Sequence, residues 1–275
     1  MAQKKVKKFD TRWVFVAIII AVCIPILSPL GLPINISDNT RLVYETINSL
    51  EPGSIVFMTP DTGYQKRGEL IAMMETIYHM LAHMDVKVIT IATFSSASPL
   101  LMEEVMLSVG LEEHDKVYGE DFVNLGYLTG SETTIAAIGN DLKAVVKVDL
   151  YLTPIDQLPI LESVDSAKDI DLLISIAGGM DYPELYLRQW QTTHGVKITG
   201  GCVGDIVATL QPYIATGQLT GFLPSLKGAA EFELLTNRPG QAIVGMDSQS
   251  LMHVVVIAFI LISNLEGFFG RPKTS

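Results

Sequence analysis

Three aspartates stand where acid–base or ligand chemistry could begin: Asp61 in "TPDTG", Asp181 in "AGGMD" and Asp205 in "GGCVGD". The last two follow glycine pairs, Gly178-Gly179 and Gly200-Gly201, each ending an apolar stretch and each leading into an expected helix. A glycine turn that opens a helix can present free amides to a phosphate. The neighbouring residues do not complete such a cradle. A P-loop requires GxxxxGK[ST], and no lysine follows either turn; "TGGCVGD" misses GxGxxG because Thr199 replaces the first glycine. Each aspartate is also expected to cap its own helix, in competition with a bound anion. Tight turns at the rim of a pocket therefore account for these residues better than nucleotide binding.

Other chemically suggestive residues resolve in the same way. Glu75, His79 and His83 are four apart on one helical face, as metal ligands can be. The same helix carries Leu70, Ile71, Met73, Met74, Ile77, Tyr78 and Met80 on its broad apolar side, so the trio reads as the polar face. No metal site is assigned. "FSSASP" holds Ser95 and Ser96 but lacks the GxSxG elbow of a serine nucleophile. His114 and His194 lie in an acidic turn and at a helix end, and no Ser-His-Asp set is assembled. Cys202 has no basic residue closer in sequence than Lys197, which leaves a reactive thiol unsupported. No cofactor signature is present, and none is expected.

The elements that must position these residues alternate. "GSIVFMTP" (Gly53 to Pro60) is apolar and bounded by turn formers, which predicts a buried strand. A helix over about 67–84 and a strand over 86–94 follow, making a right-handed βαβ unit with parallel strands. Pro99 opens a helix to about Val109. "TTIAAIG" (Thr133 to Gly139) fits helix or strand equally, and "AVVKVDLYLT" (Ala144 to Thr153) suggests a further strand. "DLLISIAGG" is the clearest strand of the second half, followed by a helix from near Pro183 to Thr193, the strand "VKITGG", and a helix over 205–215. "GQLTGFLP" reads as strand or loop, with a helix after Lys227. The fold class is α/β: a mostly parallel, Rossmann-like sheet with flanking helices. Ligands of such sheets bind beyond the carboxyl ends of the strands. That rule selects Thr59, Asp61, Thr62, Ser95, Ser96, Gly178, Gly179, Asp181, Gly200, Gly201 and Asp205.

Composition adds a membrane to this picture. The 275 residues are 48% hydrophobic and 18% charged, with a mean hydropathy of +0.35. Twenty uncharged residues from Trp13 to Leu32 follow a basic stretch, enough to span a hydrocarbon core of about 30 Å. No small-x-small cleavage site follows, so an uncleaved signal anchor is expected over 13–32. A second apolar stretch over 248–269 reads as spanning, or as an interfacial helix, with Glu266 near one end. Lys4, Lys5, Lys7, Lys8 and Arg12 precede the first, and Arg271 and Lys273 follow the second. By the positive-inside rule residues 1–12 and 270–275 are cytoplasmic tails, and the domain over 33–247 lies outside the cytoplasm.

Between the two stretches, residues 33–250 retain 12 of the 19 basic and 28 of the 30 acidic residues, a formal charge of −16. Such a surface repels nucleic acid and tolerates cations, basic proteins and neutral solutes. Cys23 and Cys202 cannot form a disulfide within the domain, so its stability rests on its core.

"GVKITGGCVGDIVATLQPYIATGQLTGFLP" (Gly195 to Pro224) resembles the second lobe of type 1 periplasmic binding proteins. The likeness rests on a strand ending in glycines, an Asp205-led helix and "TGQL" (Thr216 to Leu219) before the next strand. Gly53 to Ile91 is similar to that family's opening strand–helix–strand. "VNLGY" (Val123 to Tyr127) and "LKGAAEFE" (Leu226 to Glu233) also resemble segments of uncharacterised membrane-anchored proteins. The first resemblance implies a ligand-handling domain at the outer membrane face. Asp61, Ser95, Gly179 and Asp205 would then be rim residues that bind a neutral or cationic small ligand. The expectation is a non-catalytic, membrane-anchored, extracytoplasmic ligand-binding or accessory subunit that contacts the bilayer and membrane-protein partners. A membrane-bound hydrolase or transferase using Asp61, Asp181 or Asp205 is the enzymatic alternative, and a structural component the third.

Overall fold

The computed structural model describes residues 12–179 and 181–269. Its strands are β1 (Ser54–Asp61), β2 (Val86–Ala92), β3 (Phe122–Tyr127), β4 (Leu172–Ala177), β5 (Lys197–Cys202) and β6 (Leu223–Pro224). The helices in chain order are α1 (Arg12–Leu27), α2 (Asp38–Asn48), α3 (Arg67–Ala82), α4 (Ser98–Val109), α5 (Ser131–Asn140), α6 (Leu142–Val145) and α7 (Asp181–Tyr186). A π-helical segment, Leu187–Gln191, joins α7 to α8 (Thr192–His194), and α9 (Val207–Ala215), α10 (Ser225–Leu235) and α11 (Gln241–Phe269) complete the chain. Ile34–Ala242 forms one compact unit; the described parts of Met1–Pro33 and Ile243–Ser275 form a second.

In the first unit the strands form one sheet in the order β3-β2-β1-β4-β5-β6, with every neighbouring pair parallel. Strands buried on both faces are expected to be apolar throughout rather than alternating, and β4, "LLISIA", is buried at every position. On one face, Tyr78 Oη of α3 lies 3.3 Å from Thr90 Oγ1 of β2. On the other, the Phe57 and Trp190 rings are 4.7 Å apart, and Trp190 Nε1 donates to the Ile135 carbonyl of α5 at 2.9 Å. The π-helical segment thus carries its indole between α5 and the sheet. The chain winds outward from β1 through β2 to β3, then crosses back to place β4 on the other side of β1. The winding reverses between β1 and β4, the topological switch point of a Rossmann-like sheet.

Several expectations are resolved or corrected locally. Thr133–Gly139 lies in helix α5, with Ile135 and Ile138 buried three residues apart. The strand expected within Ala144–Thr153 is replaced by α6 and a tight loop. Asp149 accepts the amides of Tyr151 and Thr153 at 2.9 and 2.7 Å, and an isolated bridge pairs Val148 with Pro154. A carboxylate that satisfies its own neighbouring amides offers the backbone an alternative to a ladder. The strand Phe122–Tyr127 and the helix Asp38–Asn48 are additional to those expected. Gly200-Gly201 is not a turn but the body of β5. A Cβ on Gly200 would fall 1.9 Å from the Ser175 carbonyl oxygen, and one on Gly201 would fall 1.9 Å from Met73 Sδ. These glycines let β5 approach β4 and α3.

Two carboxylates of α10 hold the points where the chain enters and leaves the first unit. Glu231, fully buried, accepts the Ser37 amide at 3.0 Å and the Ser37 and Thr40 hydroxyls at 2.6 Å. Its second oxygen lies 3.2 Å from Lys227 Nζ. Glu233 accepts the amides of Gly240 and Ala242, both at 2.9 Å, at the start of α11. These bonds satisfy helix-terminal donors that would otherwise be orphaned.

In the second unit, α1 has 16 residues, a rise of about 24 Å against the roughly 30 Å of a hydrocarbon core. It ends at Leu27 instead of running to Leu32. Asp247 accepts the amides of Leu30, Gly31 and Leu32 at 2.8 to 3.0 Å beyond that end. α11 starts at Gln241, earlier than the expected 248. Over Gln241–Asn264 its 24 residues have a mean hydropathy of 1.7, long and apolar enough to cross a membrane. The expected cytoplasmic tails over 1–11 and 270–275 lie outside the described residues.

Gly200→Ala should lower the unfolding free energy of the detergent-solubilised chain by roughly 3 kcal/mol, through strain at φ +150° and overlap with Ser175. Gly179→Ala, where a Cβ meets nothing within 4 Å, should change it by less than about 0.5 kcal/mol. Glu231→Ala should cost about 3 kcal/mol, because three donors lose their acceptor inside the protein. Denaturant titration followed by circular dichroism measures all three.

Candidate functional site

The row of side chains where the winding reverses is polar. In register, Thr59 of β1 faces Ser175 of β4, and Ser175 faces Gly200 of β5. Side chains two apart on a strand share a face, so Thr59 and Asp61 lie on the same side of the sheet as Phe57. All of Thr59, Asp61 and Ser175 have zero exposure. Asp61 Oδ1 accepts the amide and the hydroxyl of Thr93, each at 3.0 Å, and Thr93 Oγ1 lies 3.5 Å from Tyr186 Oη. The remaining oxygens, Asp61 Oδ2, Thr59 Oγ1 and Ser175 Oγ, are buried and have no partner among the described residues.

Burial raises the Asp61 pKa from 3.8 to about 6. The two bonds from Thr93 offset part of that rise, with smaller help from the nearby Thr59 hydroxyl and the Phe94 amide. A carboxyl near 6 is half-ionised at about pH 6 and mostly ionised at neutrality, in the range useful for proton transfer or for holding a polar or cationic group.

The crevice above this row is closed. Gly178 N donates to the Asp61 carbonyl at 3.0 Å, and Thr62 N donates to the Pro60 carbonyl at 2.8 Å. A Cβ on Gly178 would sit 2.5 Å from Thr62 Oγ1, so a glycine is what lets the ends of β1 and β4 meet. Ser98 Oγ caps the Thr62 carbonyl at 2.5 Å. With both of these amides already bonded inside the protein, the Gly178-Gly179 turn supplies no phosphate nest from them.

The other expected site residues scatter along this edge. Ser95 Oγ accepts the Ala97 amide at 3.2 Å in a turn that precedes α4, and Ser96 is exposed. Asp205 does not cap its helix; it is exposed and pairs with Lys66 at 3.3 Å. Asp181 opens α7, and its side chain lies outside the described residues. Gly179 stays on the partly exposed turn, while Gly201 packs against Met73 on the opposite face from Asp61. The Cys202 thiol is pushed up to about 12, by burial first and then by Asp205 and Glu69, and so stays protonated. Of the predicted residues, the fold brings Thr59 and Asp61 together in the buried row and sets Thr62 against Gly178 where β1 and β4 end. Ser175, Thr93 and Tyr186 complete the cluster and were missed. Ser175 carried a signal: a serine inside an otherwise aliphatic strand, in register with Thr59.

The histidines of α3 have partners of their own. His79 Nδ1 lies 2.9 Å from Arg238 Nη1, and His83 Nδ1 lies 2.7 Å from the His79 carbonyl. Burial, then the charges of Arg238, His114 and His83, hold His79 below the usual imidazole value. Among the described residues, no group of three or more His, Cys, Asp or Glu is placed to hold a metal ion. No family model matches the chain, and neither curated proteins nor solved structures give a match.

The Asp61 pKa makes a signed prediction. Because its folded value lies above its unfolded value, Asp61 favours folding below pH 3.8, and that contribution is lost as pH rises through about 6. A shift of this size corresponds to roughly 3 kcal/mol. The stability difference, wild type minus Asp61→Asn, should fall by that order between pH 4 and 7. A flat difference across that range would show that Asp61 titrates normally.

Proposed function

We propose that this protein is a membrane-anchored ligand-binding or accessory subunit whose site is the Asp61 cluster. The observation that carries the reading is the set of three buried oxygens without partners at the switch point of the sheet. An unsatisfied buried polar group costs about 1–3 kcal/mol, and three together at the position where such sheets bind ligands form a ready-made recognition surface. One carboxyl and two hydroxyls suit a neutral polyol or a cation, and the acidic domain favours the same classes. Binding requires the Thr62–Gly178 contact to open, because every member of the cluster is enclosed.

The apolar α11 supplies the membrane anchor. The basic residues flanking the two apolar stretches support an extracytoplasmic domain, and the resemblance of Gly195 to Pro224 to periplasmic binding proteins supports ligand handling. A second reading, a membrane-bound hydrolase or transferase, draws support from Asp61 alone, since a carboxyl near pH 6 can serve as general acid or base.

Thermal shift of the full chain in detergent tests the binding reading against glucose, glycerol, choline and putrescine. At least one should raise the melting temperature by 2 °C or more at millimolar concentration, and Asp61→Asn should abolish that rise. Absence of a shift with all four, or an undiminished shift in Asp61→Asn, would point instead to a purely structural subunit.

A further inference from the structure

A second cleft opens at the amino edge of the same sheet, opposite the Asp61 end. It has a volume of about 350 Å³ and is lined by Glu51, Ser54, Lys168, Asp171, His194 and Lys197, among others. That volume falls in the range of small-molecule sites. The strands begin here: Ser54 opens β1, Leu172 opens β4 and Lys197 opens β5.

Charge is distributed unevenly along the cleft. Glu51 precedes β1, and Asp171 leans to the same side, its Oδ2 accepting the Ile55 amide at 2.8 Å. His194 and Lys197 lie at the β5 end, with Lys168 in the turn before β4. Strand neighbours are about 4.8 Å apart, so Glu51 before β1 and Lys197 on β5 are separated by roughly 10 Å, with Asp171 and Lys168 before β4 between them. Among the described residues, Lys168 and Lys197 are absent from the ion pairs. His194 Nδ1 is buried without a hydrogen-bond partner.

We propose that this cleft binds a small zwitterion, an amino acid or a dipeptide. Its carboxylate would meet Lys197, Lys168 and His194, and its ammonium group Glu51 and Asp171. A simple anion would leave Glu51 and the second oxygen of Asp171 unanswered and would enter against the domain's charge of −16. A simple cation would leave the two lysines and the imidazole unanswered. A zwitterion satisfies both sets and adds no net charge. The assignment is independent of the Asp61 site, which lies at the other end of the strands.

Isothermal titration of the full chain in detergent tests it, with diglycine and glycine as zwitterions and with sodium acetate and methylammonium chloride as the single charges. Saturable binding of diglycine or glycine is expected, with at least tenfold weaker binding of acetate and methylammonium. Lys197→Gln and Glu51→Gln, both at exposed positions, should each weaken zwitterion binding tenfold or more without changing the melting temperature by more than 2 °C. Asp61→Asn should leave it unchanged, which separates this site from the carboxyl-edge reading. The proposal is overturned by no saturable heat with either zwitterion, by acetate or methylammonium binding as tightly, or by binding that survives both substitutions.

Discussion

The pairing of β1 with β4 is the constraint on which the rest of the domain depends. Six successive Cα partners, from Val56 with Leu172 to Asp61 with Ala177, fix the register of two strands separated by more than a hundred residues. That register sets Thr59 beside Ser175 and places the reversal of winding directly above them. It also demands room. Gly178 admits Thr62 where the strands end, and Gly200 admits the Ser175 carbonyl from the next strand. A one-residue slip would turn Thr59, Asp61 and Ser175 to the opposite face, toward α3 and away from Tyr186 and Trp190.

Acidic residues do two kinds of work in this chain, and buried geometry separates them. Neither Glu231 nor Asp61 is exposed to solvent, although Asp61 lies deeper, and their pKa values move in opposite directions. Burial would raise both. Glu231 is nevertheless held below the ordinary carboxylate value, because Ser37 and Thr40 donate three bonds and Lys227 adds a charge. Asp61 receives its two close bonds on one oxygen, both from Thr93, with only weaker help from Thr59 and Phe94, so desolvation prevails. The surplus of acid is thus partly architectural. Glu231, Glu233, Asp149 and Asp171 act as acceptors for backbone amides that the helices and strands leave open. Asp61 is only half satisfied by that role.

The sequence revealed the sheet more readily than the site. Long apolar runs such as "VKVITIATF" and "DLLISIAGG" declare buried parallel strands because neither face needs a polar partner. β3 was harder, since Asn124 interrupts it. Its side chain donates to the Pro99 carbonyl at 3.1 Å and to Glu103 at 2.9 Å, bonds that no local pattern announces. Local pattern misled in the opposite sense at Ala144–Thr153, where strand-forming residues surround an aspartate that folds the chain onto itself. The glycine pairs were misleading for a related reason. Gly178-Gly179 and Gly200-Gly201 look alike in sequence, but one follows a strand and the other forms part of one, and only contact with Ser175 and Met73 tells them apart. Asp61 was found by the rule of strand ends; Ser175 and Thr93 needed the register.

The segment "LKGAAEFE" shows how a suggestive motif can be structural. Glutamates two apart on a helix point in different directions, and in α10 each takes a different part of the chain. Glu231 receives Ser37, the N-cap of α2, and Thr40 in its first turn, while Glu233 receives the amides that open α11. The small residues just before them, Gly228, Ala229 and Ala230, are buried, and a Cβ on Gly228 would lie 2.4 Å from Pro224. Close packing and two carboxylates therefore fix both ends of the domain to one short helix. A motif with this role is constrained by where the chain must enter and leave, and it carries no information about a ligand. The polar row beneath Trp190 is the reverse case. Thr59, Asp61 and Ser175 leave buried oxygens without hydrogen-bond partners among the described residues, so the bonds that hold the sheet together do not account for the polarity of this row.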